Sequence, residues 1–526
     1  MAVQARPGTR NRYNAASDFL DGNLEAGRGD RTAILSPGGR WTYRQVAEDA
    51  NRWASVLPEL GVEIENRVFL ALLDGPAFAA TFWGSIKLGA VPVPANTNLV
   101  ADDYAYLLDD CRAKVAVVSQ PVADRLRQAR PASRWLKHLV VVGEAGPDEH
   151  RYAELLAGGA SECSPADTDR DDMCFWLYSS GTTGTPKGVV HLQHDMRVCT
   201  DQYARPILGL AESDITLSVA KLYFAYGLGN ALYFPFSVGA STVLLEGPPA
   251  PPALLEAVRE YRPTVYFGVP TSYASVLAAD PALWEAADFS SVRICVSAGE
   301  PLPGAILRRW KERTGTEILD GIGSTEICHI FISNRPGDVR PDSSGRVVPG
   351  YEVRLVDEQG GEVGDGEVGS LLVRGDSTCA FYWNQHERTK DTIRGHWIDT
   401  GDKYVRSADG YFSYQGRSDD MLKAGGIWVS PAEVEAAITD HESVLECAVV
   451  GARDENDLVV PHAYVVVAPG RSSGPELTVE LRDWVRGRLA HFKCPRAFHF
   501  VDSLPKTATG KIQRFKLREA APTPPV

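Results

Sequence analysis

Ser179-Ser180-Gly181-Thr182-Thr183-Gly184-Thr185-Pro186-Lys187-Gly188 packs hydroxyls, glycines and one ammonium into a single short stretch. An apolar run, Phe175 to Leu177, delivers the chain into it. Glycine frees the backbone to bend and expose N–H groups, hydroxyls add donors, and Lys187 adds positive charge, so such a loop can wrap a polyphosphate. It is not a Walker A loop, because Lys187 is followed by Gly188 and the glycine spacing is wrong. By composition alone the same stretch also reads as a plain Ser/Gly/Thr surface loop.

Further stretches carry similar chemistry. Asp320-Gly321-Ile322-Gly323-Ser324-Thr325-Glu326 follows an expected strand at 317–319. Its glycines admit a close ligand, and Glu326 is a hard oxygen donor suited to Mg2+. Ser297-Ala298-Gly299-Glu300-Pro301 follows an expected strand at 292–296. Trp397 to Asp402, Gly416-Arg417-Ser418-Asp419-Asp420 and Pro505-Lys506-Thr507-Ala508-Thr509-Gly510-Lys511-Ile512 complete the set. In this order and spacing, the stretches resemble the signatures of the acyl-adenylate-forming superfamily, which includes acyl- and aryl-CoA ligases, peptide-synthetase adenylation domains and luciferases.

That resemblance implies a reaction and a division of roles. A carboxylate attacks the α-phosphorus of ATP, pyrophosphate leaves, and a thiol then displaces AMP from the acyl-adenylate. ATP, Mg2+ and coenzyme A are the implied cofactors and co-substrate. Ser179 to Gly184 (Ser180, Gly181, Thr182 and Thr183 between them) and Lys187 would hold the phosphates, with Mg2+ on Glu326 and Thr182. Gly299, Glu300 and Pro301, with Asp320 to Thr325, would lie against the nucleotide. Asp402 would accept the ribose hydroxyls, and Arg417 would touch ribose or phosphate. Lys511 becomes the catalytic lysine, placed where charge builds between carboxylate and α-phosphate. The family's small C-terminal domain swings about the position of Asp419, removing Lys511 and bringing in Lys423, Gly425, Gly426 and Trp428 as a pantetheine tunnel. On local grounds a plain tight turn is the rival reading of Gly425-Gly426. Phe492-Lys493-Cys494-Pro495 resembles a segment that touches the CoA nucleotide; relatives often carry a basic residue where Cys494 stands, so only Lys493 is carried over.

Lys221 to Asn230 and Ile327 to Phe331 resemble the acid-pocket segments of the benzoate-CoA ligase subfamily, as do Tyr13 to Ala16 and Gly426 to Pro431. Phe224, Ala225, Tyr226, Gly323, His329 and Ile330 would close a short, planar pocket, with Tyr226 along the aromatic ring. Such a pocket excludes a long acyl chain, and the segment offers no acid group to hold an amino acid's ammonium. The implied partner is a small aromatic carboxylic acid. A carrier protein in trans is the alternative thiol source, and a non-catalytic AMP-binding module is disfavoured by the presence of Lys511 and Glu326.

These residues need a large scaffold. At 526 residues the chain exceeds a single core, and 44% hydrophobic with 23% charged residues is ordinary for a globular protein. A net charge of −14 with no basic block argues against nucleic acid or anionic membrane as partner. Nine cysteines without a close pair predict reduced thiols in the cytoplasm, and the polar first thirteen residues predict no secretory leader. A monomer or homodimer is expected.

Strand–helix alternation predicts an α/β fold of helix-covered parallel sheets: helix 43–57, strand 68–73, helix 77–88, strands 115–118 and 139–142. Val91-Pro92-Val93-Pro94 reads as a breaker. From Gly350, short strands at 351–356, 369–374 and 411–414 predict a small antiparallel barrel or sheet. A smaller mobile α+β domain follows, with helix 431–438, strands 446–450 and 462–467, and helix 477–489. The expected boundaries are 1–416 for the N-terminal domain, 417–420 for the hinge, 421–520 for the C-terminal domain and 521–526 for a tail. His191 and His194, three apart on an expected helix and without an acidic neighbour, are not read as a metal site.

Overall fold

Helix 43–56 begins where Thr42 can stop the preceding strand: its hydroxyl accepts from Gln45 N–H at 3.2 Å, and Gln45 Oε1 returns the bond to Thr42 N–H at 2.8 Å. This reciprocal cap satisfies two amides that the first turn leaves orphaned. The following helix, Pro76–Lys87, is buried through Phe78, Phe82 and Trp83. The structure, a computed structural model, describes residues 11–179, 186–417, 422–424, 427–453, 459–506 and 512–520. Within these, the side chains of 423, 424, 427, 428, 492 and 520 lie outside the description.

Between the helices lie two mainly parallel sheets. One has five strands in the order Val91–Pro94, Arg67–Ala71, Val115–Ser119, His138–Val142 and His150–Arg151. The Val91–Pro94 stretch is therefore an edge strand and not the breaker its prolines suggested. Val91 and Ala95 N–H donate inward to Asn66 and Leu70 carbonyls at 2.8 Å, while Pro92 and Pro94 occupy the alternate positions, where no ladder donor is required.

The other sheet has nine strands, parallel from Thr32–Ser36 across to Ile318–Gly323 and antiparallel at both margins. A three-stranded antiparallel sheet sits beside them. The strands around the site are β1 (Met173–Ser179), β2 (Lys187–Leu192), β3 (Ile294–Ser297), β4 (Ile318–Gly323), β5 (Ile330–Ser333) and β6 (Phe381–Tyr382). β4 runs through Asp320–Gly323, further than the expected strand.

The antiparallel sheet expected beyond Gly350 is present, with five strands that include Glu352–Val356, Val368–Arg374 and Phe412–Arg417. A separate α+β unit packs helices Pro431–Thr439 and Pro475–Arg486 on strands Val444–Arg453, Val459–Val467 and Ala497–Phe500. Among the described residues no helix is long and apolar enough to cross a membrane.

Candidate active site

β1 and β2 form the stems on either side of 180–186. Ser179 lies directly opposite Lys187 in an antiparallel register. Lys187 thus starts a strand, which fixes its side chain. Its ammonium lies 2.8 Å from Glu326 Oε1 and 2.7 Å from the Tyr382 hydroxyl, and 4.1 Å from the Tyr382 ring centre. Tyr382 donates in turn to Glu326 Oε1 at 3.0 Å. Burial alone would push the Glu326 carboxyl up, but the Lys187 ammonium overcomes this, and Tyr382 adds to it, bringing the group down to about 2. The Tyr382 phenol is held well above its ordinary range by burial and by Glu326, so it remains a donor.

Tyr382 is a member of this cluster that sequence reasoning missed. It stands on a two-residue strand far along the chain, and only the pairing of Phe381 and Tyr382 with Val190 and Val189 brings it beside Lys187.

Glu326 sits on a short 3-10 turn, Thr325–Ile327, after β4. β3 and β4 pair in parallel with Ser297 opposite Asp320, so the Ser297–Pro301 and Asp320–Glu326 stretches emerge together at the carboxyl ends of the strands. Ligands of open α/β sheets bind at those ends. There Ser297 Oγ, Asp320 Oδ1 and Ser324 Oγ are buried without a hydrogen-bond partner among the described residues. Burial pushes the Asp320 carboxyl well above the usual carboxylate range. Buried polar atoms are normally satisfied, so this trio suits a polar ligand.

Past the turn the chain reverses into β5, with Gly323 opposite Ile330. A Cβ on Gly323 would lie 2.6 Å from the His329 carbonyl oxygen, which is why only glycine fits there. The His329 ring is buried against Phe234 at 4.4 Å and Tyr226 at 5.5 Å between centres. Its Nε2 lies 3.1 Å from Asn230 Oδ1 and 3.4 Å from the Tyr226 carbonyl, both acceptors, so the proton is on Nε2. Burial lowers the ring to about 3 and keeps it neutral. Tyr226 is fixed by its hydroxyl, 3.2 Å from the carbonyls of both Gly268 and Val296. Gly323, Tyr226, His329 and Ile330 thus meet one turn away from Glu326, and Ala225 is half-buried beside Tyr226. Phe224 packs edge-on against Tyr223 at 4.6 Å.

The remaining sites divide. Asp402 and Arg417 face each other across paired strands, with Arg417 Nη1 3.0 Å from Asp402 Oδ1 and 2.8 Å from the Thr400 carbonyl. Lys493 is held by both Glu433 oxygens, at 2.6 and 2.7 Å. Ser180, Gly181, Thr182, Thr183, Gly184, Asp419, Gly425, Gly426 and Lys511 lie outside the described residues, as do the side chains of Lys423 and Trp428.

One expectation is corrected. His191 lies in β2 and His194 precedes the helix Asp195–Cys199, so they do not share a helix. An acidic partner does exist: His191 Nδ1 is 2.7 Å from Asp195 Oδ2. The sequence separation of four concealed it, because a strand-to-helix turn folds the two together.

For a metal, the described residues contain no cluster of three His, Cys, Asp or Glu side chains. A single ionised carboxylate such as Glu326 fits Mg2+, which commonly takes one or two protein carboxylates and completes its shell with water and substrate phosphates.

An ionised glutamate beside a lysine, buried polar atoms at strand ends and a buried aromatic cluster one turn away share one end of the sheet. The AMP-binding enzyme family matches residues 23–383 and its C-terminal domain matches 433–511, and the chain belongs to that family. It is 50% identical to the benzoate–CoA ligase of Thauera aromatica, covering 97% of this chain and 96% of that protein. It is 44% identical to the 4-hydroxybenzoate–CoA/benzoate–CoA ligase of Rhodopseudomonas palustris, over 96% and 94%. Among solved structures, a benzoate CoA ligase from Burkholderia xenovorans superposes with a TM-score of 0.90 at 44% identity, covering 96% and 100%. An anthranilate CoA ligase in complex with anthranoyl-AMP gives 0.93 at 43% identity, covering 98% of each chain.

Proposed function

We propose that this chain is an AMP-forming aryl-CoA ligase acting on benzoate or a simply substituted benzoate. The observation that carries the reading is the placement of Glu326 on the Thr325–Ile327 turn and of His329 two residues beyond that turn: the first faces Lys187, the second faces Tyr226. Whole-length similarity to benzoate- and hydroxybenzoate-CoA ligases supports the same acid class.

In the first half-reaction a carboxylate oxygen of the acid bonds to the α-phosphorus of ATP, and the bond to pyrophosphate breaks. Two anions must approach, so positive charge has to be fixed in advance. Lys187, held by Glu326 and Tyr382 until phosphates arrive, is aimed for this by its strand. Glu326 and Thr182 would hold Mg2+, which supplies charge neutralisation for the phosphates. Lys511 would neutralise the carboxylate and α-phosphate during the attack. Asp320, Ser297 and Ser324 offer buried polar atoms to the nucleoside, with Gly299, Glu300 and Pro301 alongside, and Asp402 and Arg417 would exchange their mutual pair for ribose contacts.

In the second half-reaction the CoA sulfur bonds to the acyl carbon and AMP leaves with the bonding electrons of the C–O bond. Rotation of the C-terminal domain about Asp419 would replace Lys511 with the 423–428 segment between the two steps. The test is AMP release over benzoate, hydroxybenzoates, aminobenzoates and fatty acids, with and without CoA. Fastest turnover with an unadorned or lightly substituted benzoate, dependent on CoA, is expected. Preference for a fatty acid, or indifference to CoA, would refute the reading.

A further inference from the structure

The turn bearing Glu326 is fastened by three successive backbone carbonyls. Thr325 O lies 2.7 Å from His191 Nε2, Glu326 O accepts from Cys379 N–H at 2.7 Å, and Ile327 O accepts from the Ser377 hydroxyl at 2.9 Å. Two of these donors come from the segment leading into β6. The third comes from β2, the strand that begins with Lys187. Residues four apart on a strand project from the same face. β2 therefore reaches the Glu326 carboxylate with Lys187 and the preceding carbonyl with His191, gripping the turn at two points.

The His191 ring is fully buried and stacked on Phe175, 5.0 Å between centres with planes 17° apart. Its Nδ1 faces Asp195 Oδ2, which also accepts from Leu192 N–H at 3.1 Å. Both ring nitrogens thus point at acceptors. A neutral imidazole has one N–H, so serving both requires the imidazolium, and Asp195 is the counter-charge beside it. Burial opposes the charge; Asp195 and the Thr325 carbonyl outweigh it and raise the ring above its ordinary value.

We propose that His191, clamped by Asp195, is a positioning residue for adenylate formation: by holding the Thr325 carbonyl it sets the direction in which Glu326 presents its carboxylate to the magnesium nucleotide. This rests on the reading of Glu326 as a nucleotide-metal ligand. The role is distinct from packing. His191→Phe keeps a ring on Phe175 but offers Thr325 no donor. Asp195→Asn removes the charge that holds the second proton, so the ring can donate to one side only. His191→Gln restores an N–H within reach of the carbonyl.

The measurements are calorimetric affinity for ATP with Mg2+ and for AMP without it, KM and kcat for MgATP in acid-dependent ATP–pyrophosphate exchange, thioester formation from pre-made benzoyl-AMP, and thermal midpoint. Losing a hydrogen bond to a charged group is worth about tenfold or more in affinity. His191→Phe should weaken MgATP binding and raise its KM by about that factor, with AMP affinity and thioester formation held within about twofold. His191→Gln should recover part of the loss, and Asp195→Asn should reproduce it. Equal losses in both half-reactions, or unchanged MgATP affinity in a folded variant, would overturn the proposal. If His191→Phe does not fold, Asp195→Asn decides alone by the same criteria. Glu326→Gln is the control. If it leaves MgATP affinity intact, the reading of Glu326 itself fails; if it weakens MgATP while the His191 and Asp195 variants do not, only the positioning role fails.

Discussion

Tyr382→Phe tests the charge cluster with the smallest possible edit. The substitution keeps the ring, and with it the Lys187 contact at 4.1 Å, but removes the hydroxyl that accepts from Lys187 at 2.7 Å and donates to Glu326 at 3.0 Å. Glu326 is held at about 2 against an ordinary 4.5. At 1.36 kcal/mol per unit this is a net preference of about 3 kcal/mol for the ionised form. Burial works against that preference, Lys187 supplies most of what overcomes it, and Tyr382 supplies a smaller share. Lys187 and Glu326 are only 13% and 14% exposed, so solvent screens the group weakly. Removing the hydroxyl should therefore cost about 1.5–3 kcal/mol at neutral pH, the range for a hydrogen bond to a charged group.

The pH dependence has a definite sign. A carboxyl depressed in the folded state stabilises the fold above its unfolded value, and that contribution is lost as pH falls from about 4.5 through about 2. Without the phenol the folded value rises, so the contribution shrinks and acid unfolding moves to higher pH. Denaturant melts of both proteins between pH 3 and 7, with KM for MgATP in pyrophosphate exchange, provide the assay. KM should rise by about fivefold to tenfold, as Lys187 and Glu326 lose their shared partner. An acid limb and a KM both indistinguishable from the parent would show that the hydroxyl is a bystander and that Lys187 and Glu326 need no third group.

Lys511→Ala should cut acid-dependent pyrophosphate exchange by about 100-fold or more while sparing thioester formation from benzoyl-AMP; equal loss in both would sink that division of labour. Gly229→Ala places a Cβ 2.4 Å from His329 Cδ2, so the ring must move; kcat/KM for benzoate should fall by about tenfold or more, with KM for MgATP little changed. His329, held near 3 by burial, resists protonation in the folded state, so folding stability should decline as pH drops from 6.5 toward 3. His329→Asn should flatten that slope in denaturant melts, and an unaltered slope would place the ring elsewhere.

Elements with strong local signals were legible before any coordinates. Helical spacing marks 43–57 and 77–88 in the sequence, and the structure has helices Tyr43–Val56 and Pro76–Lys87 there. The site was legible wherever its residues are contiguous, as in Asp320 to Glu326 or His329-Ile330. Tyr382 was hidden because strand pairing, not sequence distance, brings it to Lys187. The His191–Asp195 pair was hidden by reading a helix where a strand ends and a helix begins. At Val91–Pro94 the prolines were weighed by what they forbid in a central strand, whereas alternate positions on an edge need no inward donor.

Those prolines also bear on how two of the sheets are joined. Strand Val91–Pro94 runs beside β1, with Cα atoms within 8 Å, a spacing too close for face-to-face sheet stacking. Yet the two strands belong to different sheets. At Pro92 and Pro94 the outer margin has carbonyls but no donors, so the two sheets cannot fuse into one continuous ladder. The result is a seam. Trp176 and Val190 of the hairpin that carries Lys187 and His191 are buried in one core with Val91, Val93 and Val118, so side-chain packing is what joins that hairpin to the five-stranded scaffold.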